Sequence, residues 1–200
     1  MLKVTLENKE VLDVEINSAI QAMRTCYSSN HLSDNGENDK KLLKTAIKNK
    51  HYTPLEFITL TFSIEDMTRT VLQELARHRT QVLNVQSTRY TLKKMKDDVR
   101  GNLDKYFYTD LPNYTEFLLM IIDFIEEKDL WELPNDKLKL YMPESLYCKL
   151  YMKVNLRNYF NFYRLRSSER AHFLIQELAN STYNTLPDYI QELIDLEVEA

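Results

Sequence analysis

The chain has 200 residues, 44% of them hydrophobic and 28% charged, with a net charge of −4. That length fits one domain with a sizeable core, and the acidic balance excludes a protein that binds nucleic acid or anionic membranes over its whole surface. No apolar run approaches the roughly 20 residues of a membrane-spanning helix, and the opening MLKVTLENKEV lacks the basic-then-apolar pattern of a secretory signal. Two cysteines, Cys26 and Cys148, allow at most one bridge and fit a reducing, cytoplasmic setting. The only glycines, Gly36 and Gly101, stand far apart. A Walker loop and a GxGxxG fingerprint are therefore excluded, and any nucleotide must be held by side chains and helix ends.

Leu2, Val4 and Leu6 alternate with polar residues and predict a strand. Ser18 is a candidate cap for a helix through Ala22 to Tyr27, and the polar stretch from Ser28 to Asn38, with Asn35-Gly36, reads as a surface loop. Leu42, Leu43, Ala46 and Ile47 predict a helix over 39–49. Ile58, Leu60, Phe62 and Ile64 alternate with Thr59, Thr61, Ser63 and Glu65, the clearest strand in the chain. Asp66 or Thr68 then caps a helix carrying Val71, Leu72 and Leu75 and ending near His78, whereas Gln81 to Tyr90 has no clear period. Phe117, Leu118, Ile121, Ile122 and Ile125 predict a helix over 114–127, and Pro134 and Pro143 make 130–143 irregular. The aromatic stretch 144–163 reads as a helix, a break near Asn155 and a second helix; Ala171 to Leu186 is helical, and Pro187 opens a last short helix. Helices dominate and three to five strands are expected, in an α+β fold that forms one domain over residues 1–200.

The stretch that carries chemistry is Arg77-His78-Arg79, followed after seven residues by Ser87-Thr88-Arg89-Tyr90. Arginine suits bidentate capture of phosphate or carboxylate, and hydroxyls and backbone N–H groups around Ser87 can complete an anion site. The plainer alternative is a solvated basic helix end that complements the macrodipole. Two features weigh against it. Gln81, Asn84 and Gln86 between the clusters are uncharged, and Arg157, Arg164, Arg166 and Arg170 lie in an aromatic segment where an unpaired arginine is costly.

RHRTQVLNVQSTRY resembles the signature of the flavin-dependent thymidylate synthases, R-H-R-x-x-S-x-N-x-x-S-x-R-Y, at Arg77, His78, Arg79, Asn84, Ser87, Arg89 and Tyr90; Val82 stands where the pattern has serine. Ala22-Met23-Arg24-Thr25-Cys26-Tyr27 looks like the family's N-terminal A-A-R-x-[CS]-[YF] segment. His51-Tyr52-Thr53-Pro54-Leu55-Glu56-Phe57 looks like its H-x-T-P-x-E-H segment, with Phe57 for histidine. Glu74-Leu75-Ala76 precedes the signature as in relatives, and Asn155-Leu156-Arg157, Asn161 and Arg166 recur at the spacing of the family's C-terminal block, with Ala171-His172 for Ala-Gln. The segments occur in the family's order over about residues 20–180.

The resemblance implies a twisted, mostly antiparallel sheet flanked by helices, and a homotetramer whose active sites form where subunits meet. It implies methylation of dUMP to thymidylate, with methylenetetrahydrofolate as carbon donor and FAD reduced by NADPH as hydride source. Glu74, Arg77, Gln86, Ser87, Thr88 and Arg89 match dUMP-holding positions. Lys139 falls where relatives place a phosphate-contacting arginine, with an ordinary surface lysine as the alternative. Arg166 matches the arginine facing the pyrimidine, the expected catalytic residue; the alternative is an ion pair with Glu169 or Asp188. His51, Thr53, Glu56, Arg77, His78, Arg79, Asn84, Asn155, Leu156, Arg157 and Asn161 match FAD-contacting positions. No metal is expected.

Cys26, in a helix expected to be buried, and Cys148, in an apolar segment, adjoin no histidine, so no thiolate nucleophile is evident. Tyr27, Tyr90 and the run Tyr159 to Tyr163 read as packing residues. Two other readings remain open at this level. One is a phosphate or nucleic-acid module built on Arg77, Arg79, Arg89, Lys93, Lys94, Lys96 and Arg100, which the net charge and the lack of a DNA-binding motif disfavour. The other is a flavin- or nucleotide-binding relative without activity.

Overall fold

Short strands and helices alternate along the chain. In order they are β1 (Lys3–Leu6), α1 (Leu12–Cys26), α2 (Glu37–Lys48), β2 (Thr59–Thr68), α3 (Arg69–Leu75), β3 (Val82–Val85), α4 (Thr88–Thr91), α5 (Leu103–Tyr106), α6 (Tyr114–Glu127), α7 (Asn135–Leu138), β4 (Tyr147–Asn155), α8 (Leu156–Arg166), α9 (Phe173–Asn184) and α10 (Asp188–Val198). This computed structural model describes residues 2–34 and 36–198; Asn35, part of the expected loop, lies outside them. Several 3-10 turns join the elements, among them Thr53–Phe57 before β2.

The four strands form one antiparallel sheet in the order β1-β2-β4-β3. Alternation decides which face is covered. Leu60, Phe62 and Ile64 on β2 and Cys148, Leu150, Met152 and Val154 on β4 point inward, where α1, α2, α8, α9 and α10 bury them. The other face stays bare: Thr61 pairs with Lys153, Ser63 with Tyr151 and Asn84 with Tyr151, and Tyr151 and Val82 are 51% and 68% exposed. A second, helical core gathers beside the sheet around α6, where Leu118, Ile122 and Ile125 pack with Phe107, Trp131 and Leu138.

Three expected elements differ. α1 begins at Leu12 rather than at a Ser18 cap; Ser18 lies mid-helix, its hydroxyl donating to the Val14 carbonyl at 2.9 Å. The region after Glu144 is strand β4, not a helix. Its period of two, with Lys149 and Lys153 outward, outweighs the aromatic content that suggested helical packing. Within the aperiodic stretch 81–90 lies β3, too short at four residues to display a period.

α1 and α2 are clamped by one buried ion pair. Arg24 Nε donates to Asp39 Oδ1 at 2.7 Å, Arg24 Nη1 donates to the Ser29 carbonyl at 3.2 Å, and the Ser33 hydroxyl donates to Asp39 Oδ2 at 2.6 Å. Both ionic side chains are buried. Removing one partner leaves an uncompensated buried charge, which costs about 3–5 kcal/mol. Asp39→Ala is therefore expected to lower stability by about that amount, as a lower urea unfolding midpoint at unchanged slope.

Candidate active site

Two capped helices bring the central cluster together. On β2 an extra residue bulges out between Ile64 and Met67, with Asp66 in the left-handed region at φ 57°. Beyond it the Thr68 hydroxyl accepts from the Val71 amide at 3.3 Å and caps α3, which ends at Leu75, before His78. At the far end of β4, Asn155 Oδ1 accepts from the Asn158 amide at 2.9 Å and caps α8. Tyr159, Phe160 and Phe162 bury the inner side of α8, and its last residue, Arg166, reaches the end of α3.

There Arg166 Nε donates to His78 Nε2 at 2.8 Å, Nη1 to Glu74 Oε2 at 2.9 Å, and Nη2 to the Glu74 carbonyl at 3.4 Å. Glu74 and His78 are thus the partners of Arg166, in place of the Glu169 or Asp188 considered from sequence. A guanidinium has five N–H bonds. Three are used here, and one on each Nη is left. The side chain is 17% exposed, so the free pair remains accessible. Because a guanidinium only donates, His78 Nε2 must be bare and its proton must sit on Nδ1. Burial, and then the Arg166 charge, hold the His78 pKa below its ordinary value, with Glu74 opposing. Phe162 packs edge-on against the ring, with centroids 5.3 Å apart. Arg77 approaches Glu74 Oε1 at 3.9 Å with its side chain 74% exposed.

The second half of the signature lies at the other end of β3. Four strand residues span roughly 13 Å, which sets the turn after Gln86 apart from the end of α3. Ser87 precedes α4 and makes no capping bond, which leaves its hydroxyl for a ligand. Arg89 Nε lies 3.3 Å from Asp136, and Asn135 Nδ2 donates to the Arg89 carbonyl at 2.7 Å. α7 is thereby docked on α4, and the exposed Lys139 follows directly after α7. The Gln86 backbone is spent on the fold: its amide donates to the Lys149 carbonyl at 2.8 Å and its carbonyl accepts from Arg69 Nη2 at 3.0 Å. Donors for an anion must come from Ser87 and the residues after it.

The remaining expected residues form a separate surface. Glu56, in the 3-10 turn before β2, pairs with Arg157 on α8. Arg157, Asn161 and Arg164 follow one face of α8 and line, with Tyr52 and Phe160, an open cavity of about 220 Å³. The Tyr52 hydroxyl donates to Glu197 Oε2 at 2.6 Å, and that bond is the largest influence raising its pKa. His51, half-buried, and Thr53, exposed, sit beside it in the chain. Leu156 is placed otherwise than expected: its side chain is fully buried in the core, its amide donates to the Ile58 carbonyl at 2.8 Å, and its carbonyl, in the first turn of α8, is taken by the helix. Arg157 and Arg166 are nine residues apart, about 180° around the helix, so the two surfaces lie on opposite sides of α8.

Sequence reasoning missed Arg69 and Asp136 as neighbours of these sites; each is an isolated polar residue whose relevance comes only from tertiary placement. Arg164 and Tyr52 stood in stretches the sequence singled out, but their place in the cavity comes from the fold. Cys26, expected to be buried, is exposed, and Cys148 faces the core, where burial raises its thiol pKa. Tyr27 and Tyr90 are exposed rather than packed, while Tyr159 is buried with its hydroxyl 2.9 Å from that of Thr182. In the basic stretch, Lys96 pairs with Glu132 and Arg100 with Asp123 and Glu126, which breaks up a continuous cationic track. A cavity of about 340 Å³ lies elsewhere, among Asp66, Asp104, Tyr108, Asp110, Tyr147 and Glu177. It contains no signature residue; the chemistry sits on more open surface. Among the described residues no cluster of His, Cys, Asp and Glu is arranged to hold a metal.

The sequence model of the family described as thymidylate synthase complementing protein matches residues 11–189. A flavin-dependent thymidylate synthase of Wolinella succinogenes is 36% identical over 188 residues, covering 90% of this chain and 92% of that protein. One of Helicobacter pylori is 34% identical over 192 residues, covering 88% and 91%. A crystal structure of thymidylate synthase X from Helicobacter pylori with FAD and dUMP superposes with a TM-score of 0.86 at 28% identity, covering 100% of both chains.

The tautomer and charge of His78 are testable. A pH titration followed by ¹⁵N NMR is expected to show a bare Nε2 at pH 7 and a midpoint below the ordinary 6.5. The unfolded chain takes up the proton near 6.5 while the native site resists it, so the contribution of His78 to stability is present above that pH and is lost as pH falls. A midpoint at or above 6.5 would contradict the arrangement.

Proposed function

The chain belongs to the thymidylate synthase complementing protein family, and we infer that it makes thymidylate by reductive methylation of dUMP, the activity of a flavin-dependent thymidylate synthase. The carbon donor is methylenetetrahydrofolate, and the reducing cofactor is FAD, itself reduced by NADPH. The observation that carries this reading is Arg166, fixed by Glu74 and His78 with one N–H free on each Nη.

That free pair is a fork suited to a uracil edge. A guanidinium that stays charged at any working pH draws electron density to the carbonyl oxygen and favours loss of the N3 proton, which makes C5 electron-rich. C5 then forms the bond to the one-carbon unit and loses its proton, and the bond between that carbon and the folate nitrogen breaks, its electron pair leaving with tetrahydrofolate. When bound, reduced FAD supplies the hydride that completes the methyl group. Glu74 and His78 keep Arg166 from turning away, and Arg77 lies beside them at the base end. Ser87, Thr88, Arg89 and Lys139 take the phosphate end, where hydroxyls and cations suit a dianion. Neither thiol is placed for covalent attack: Cys148 is buried and its pKa raised.

The cofactor fits the donor chemistry of the chain. Arg157 and Arg79 suit the pyrophosphate, and Asn161, Asn84, His51, Thr53 and Nδ2 of Asn155, whose Oδ1 is spent on capping α8, suit the polar edges of a dinucleotide, with Glu56 steadying Arg157. Because the Arg157–Asn161 surface and the Arg166–His78 cluster lie on opposite sides of α8, and Asn84 lies on the outer face of the sheet, we assign one FAD to surfaces of more than one chain, in a homotetramer of single-domain subunits. Two free cysteines fit a cytoplasmic setting.

Thymidylate formation from dUMP, methylenetetrahydrofolate, NADPH and FAD, with each omitted in turn, tests the reading; turnover that survives omission of FAD refutes it. Arg166→Lys is expected to retain flavin and to lose about 10²–10³ in rate, and wild-type turnover in that variant would remove Arg166 from catalysis. Light scattering is expected to give four subunits, and a fully active monomer would overturn the shared site.

A further inference from the structure

We propose that Arg69 is a positioning residue that holds the phosphate-binding turn of the site in its working shape. Arg69 is the first residue of α3, where a cation meets the positive end of the helix. No carboxylate within ion-pair distance of Arg69 is found among the described residues, and its Nε is buried without a hydrogen-bond partner. A residue so placed needs a compensating role. Its Nη2 supplies one by donating to the Gln86 carbonyl at 3.0 Å. The Gln86 amide is held from the other side by the Lys149 carbonyl at 2.8 Å. Both polar groups of Gln86, the residue before Ser87, are therefore fixed, one by a charge-assisted bond, and the direction in which the Ser87 hydroxyl and the following amides point is set with them.

Arg69 also brings its charge to the right place. With Gln86, Thr88, Thr91 and Lys94 it lines a cavity of about 210 Å³ under the turn. A half-buried cation without a paired anion raises the local potential for a phosphate more than a fully exposed one does, because water screens it less. Arg69 thus acts through the turn and through its field, while Ser87 and Arg89 make the contact.

This inference rests on the assignment of the phosphate end of dUMP to Ser87–Arg89, and the test separates the two. Binding of dUMP and of deoxyuridine, which lacks the phosphate, is measured by calorimetry on flavin-loaded wild type, Arg69→Met and Arg69→Lys, together with kcat and KM. The wild type is expected to bind dUMP more tightly than deoxyuridine. Arg69→Met is expected to weaken dUMP about tenfold or more, raise KM in step, leave kcat within about threefold and leave deoxyuridine binding and flavin content unchanged. Arg69→Lys, which keeps the charge without the planar fork, is expected to fall between them; it carries the same comparison should the methionine variant fail to fold. If the wild type does not discriminate dUMP from deoxyuridine, the assignment of the phosphate end fails and this inference with it. If it does discriminate and the variants weaken both ligands equally, weaken neither, or lose flavin in parallel, the role of Arg69 alone is refuted.

Discussion

The antiparallel pairing of β2 with β4 is the constraint from which the rest of the site follows. It runs from Thr59 opposite Asn155 to Thr68 opposite Tyr147. Because the strands run in opposite directions, α3 leaves the ladder at one end and α8 at the other, and α8 must fold back over the buried face to pack. Its eleven residues rise about 16 Å, enough to carry its last turn to the last turn of α3. One turn more or less would displace Arg166 by about 5 Å and leave Glu74 and His78 without their partner. Both departures are fixed by side-chain caps, Thr68 and Asn155, so the helix starts are set by hydrogen bonds rather than by packing alone.

The cations of the site fall into two electrostatic classes. Arg166 is mostly withdrawn from water and already oriented, so its field acts at short range with little screening and needs no reorganisation. Arg77 and Arg89 are 74% and 64% exposed and lean on carboxylates at 3.9 and 3.3 Å. Such pairs contribute little to stability, which leaves these arginines easy to redirect onto a ligand. The outer face of the sheet, with Val82 and Asn84 on its edge strand beside Lys153 and Tyr151, is likewise open to water.

Legibility in the sequence followed the length and purity of each pattern. β2, α2 and α6 have long, unmixed periods, and they stand within a few residues of where those periods put them. β4 has as clear an alternation, yet its tyrosines hid it: Tyr147 and Tyr151 take the outward positions where charged residues are the usual cue. β3 is invisible because four residues cannot establish a period. The arginine-rich stretch from Arg77 to Arg89 stood out by residue type alone, whereas nothing local in Glu74, His78 and Arg166 announces that residues 92 positions apart will touch. Arg69 stayed hidden too: it stands in no motif, and only the folded chain brings it to the turn at Gln86.

The three departures from the family pattern fall where this fold can absorb them. Val82 lies on the open outer face of β3, so losing a hydroxyl there breaks no bond within the chain. Phe57 ends the 3-10 turn before β2 with more than half of its surface exposed, away from the Arg166 cluster. His172 serves the fold instead, since its Nδ1 accepts from the Leu174 amide at 3.3 Å and caps α9, while its ring stacks on Phe173. None of the three touches Arg166, Glu74 or His78. The Arg166–Glu74–His78 cluster is thus insulated from these changes, whereas Val82 and Phe57 lie on exposed surface. Each departure therefore leaves every hydrogen bond of that cluster in place, because Arg166 is oriented by α3 and α8 and not by the strand edge or the turn where these residues stand.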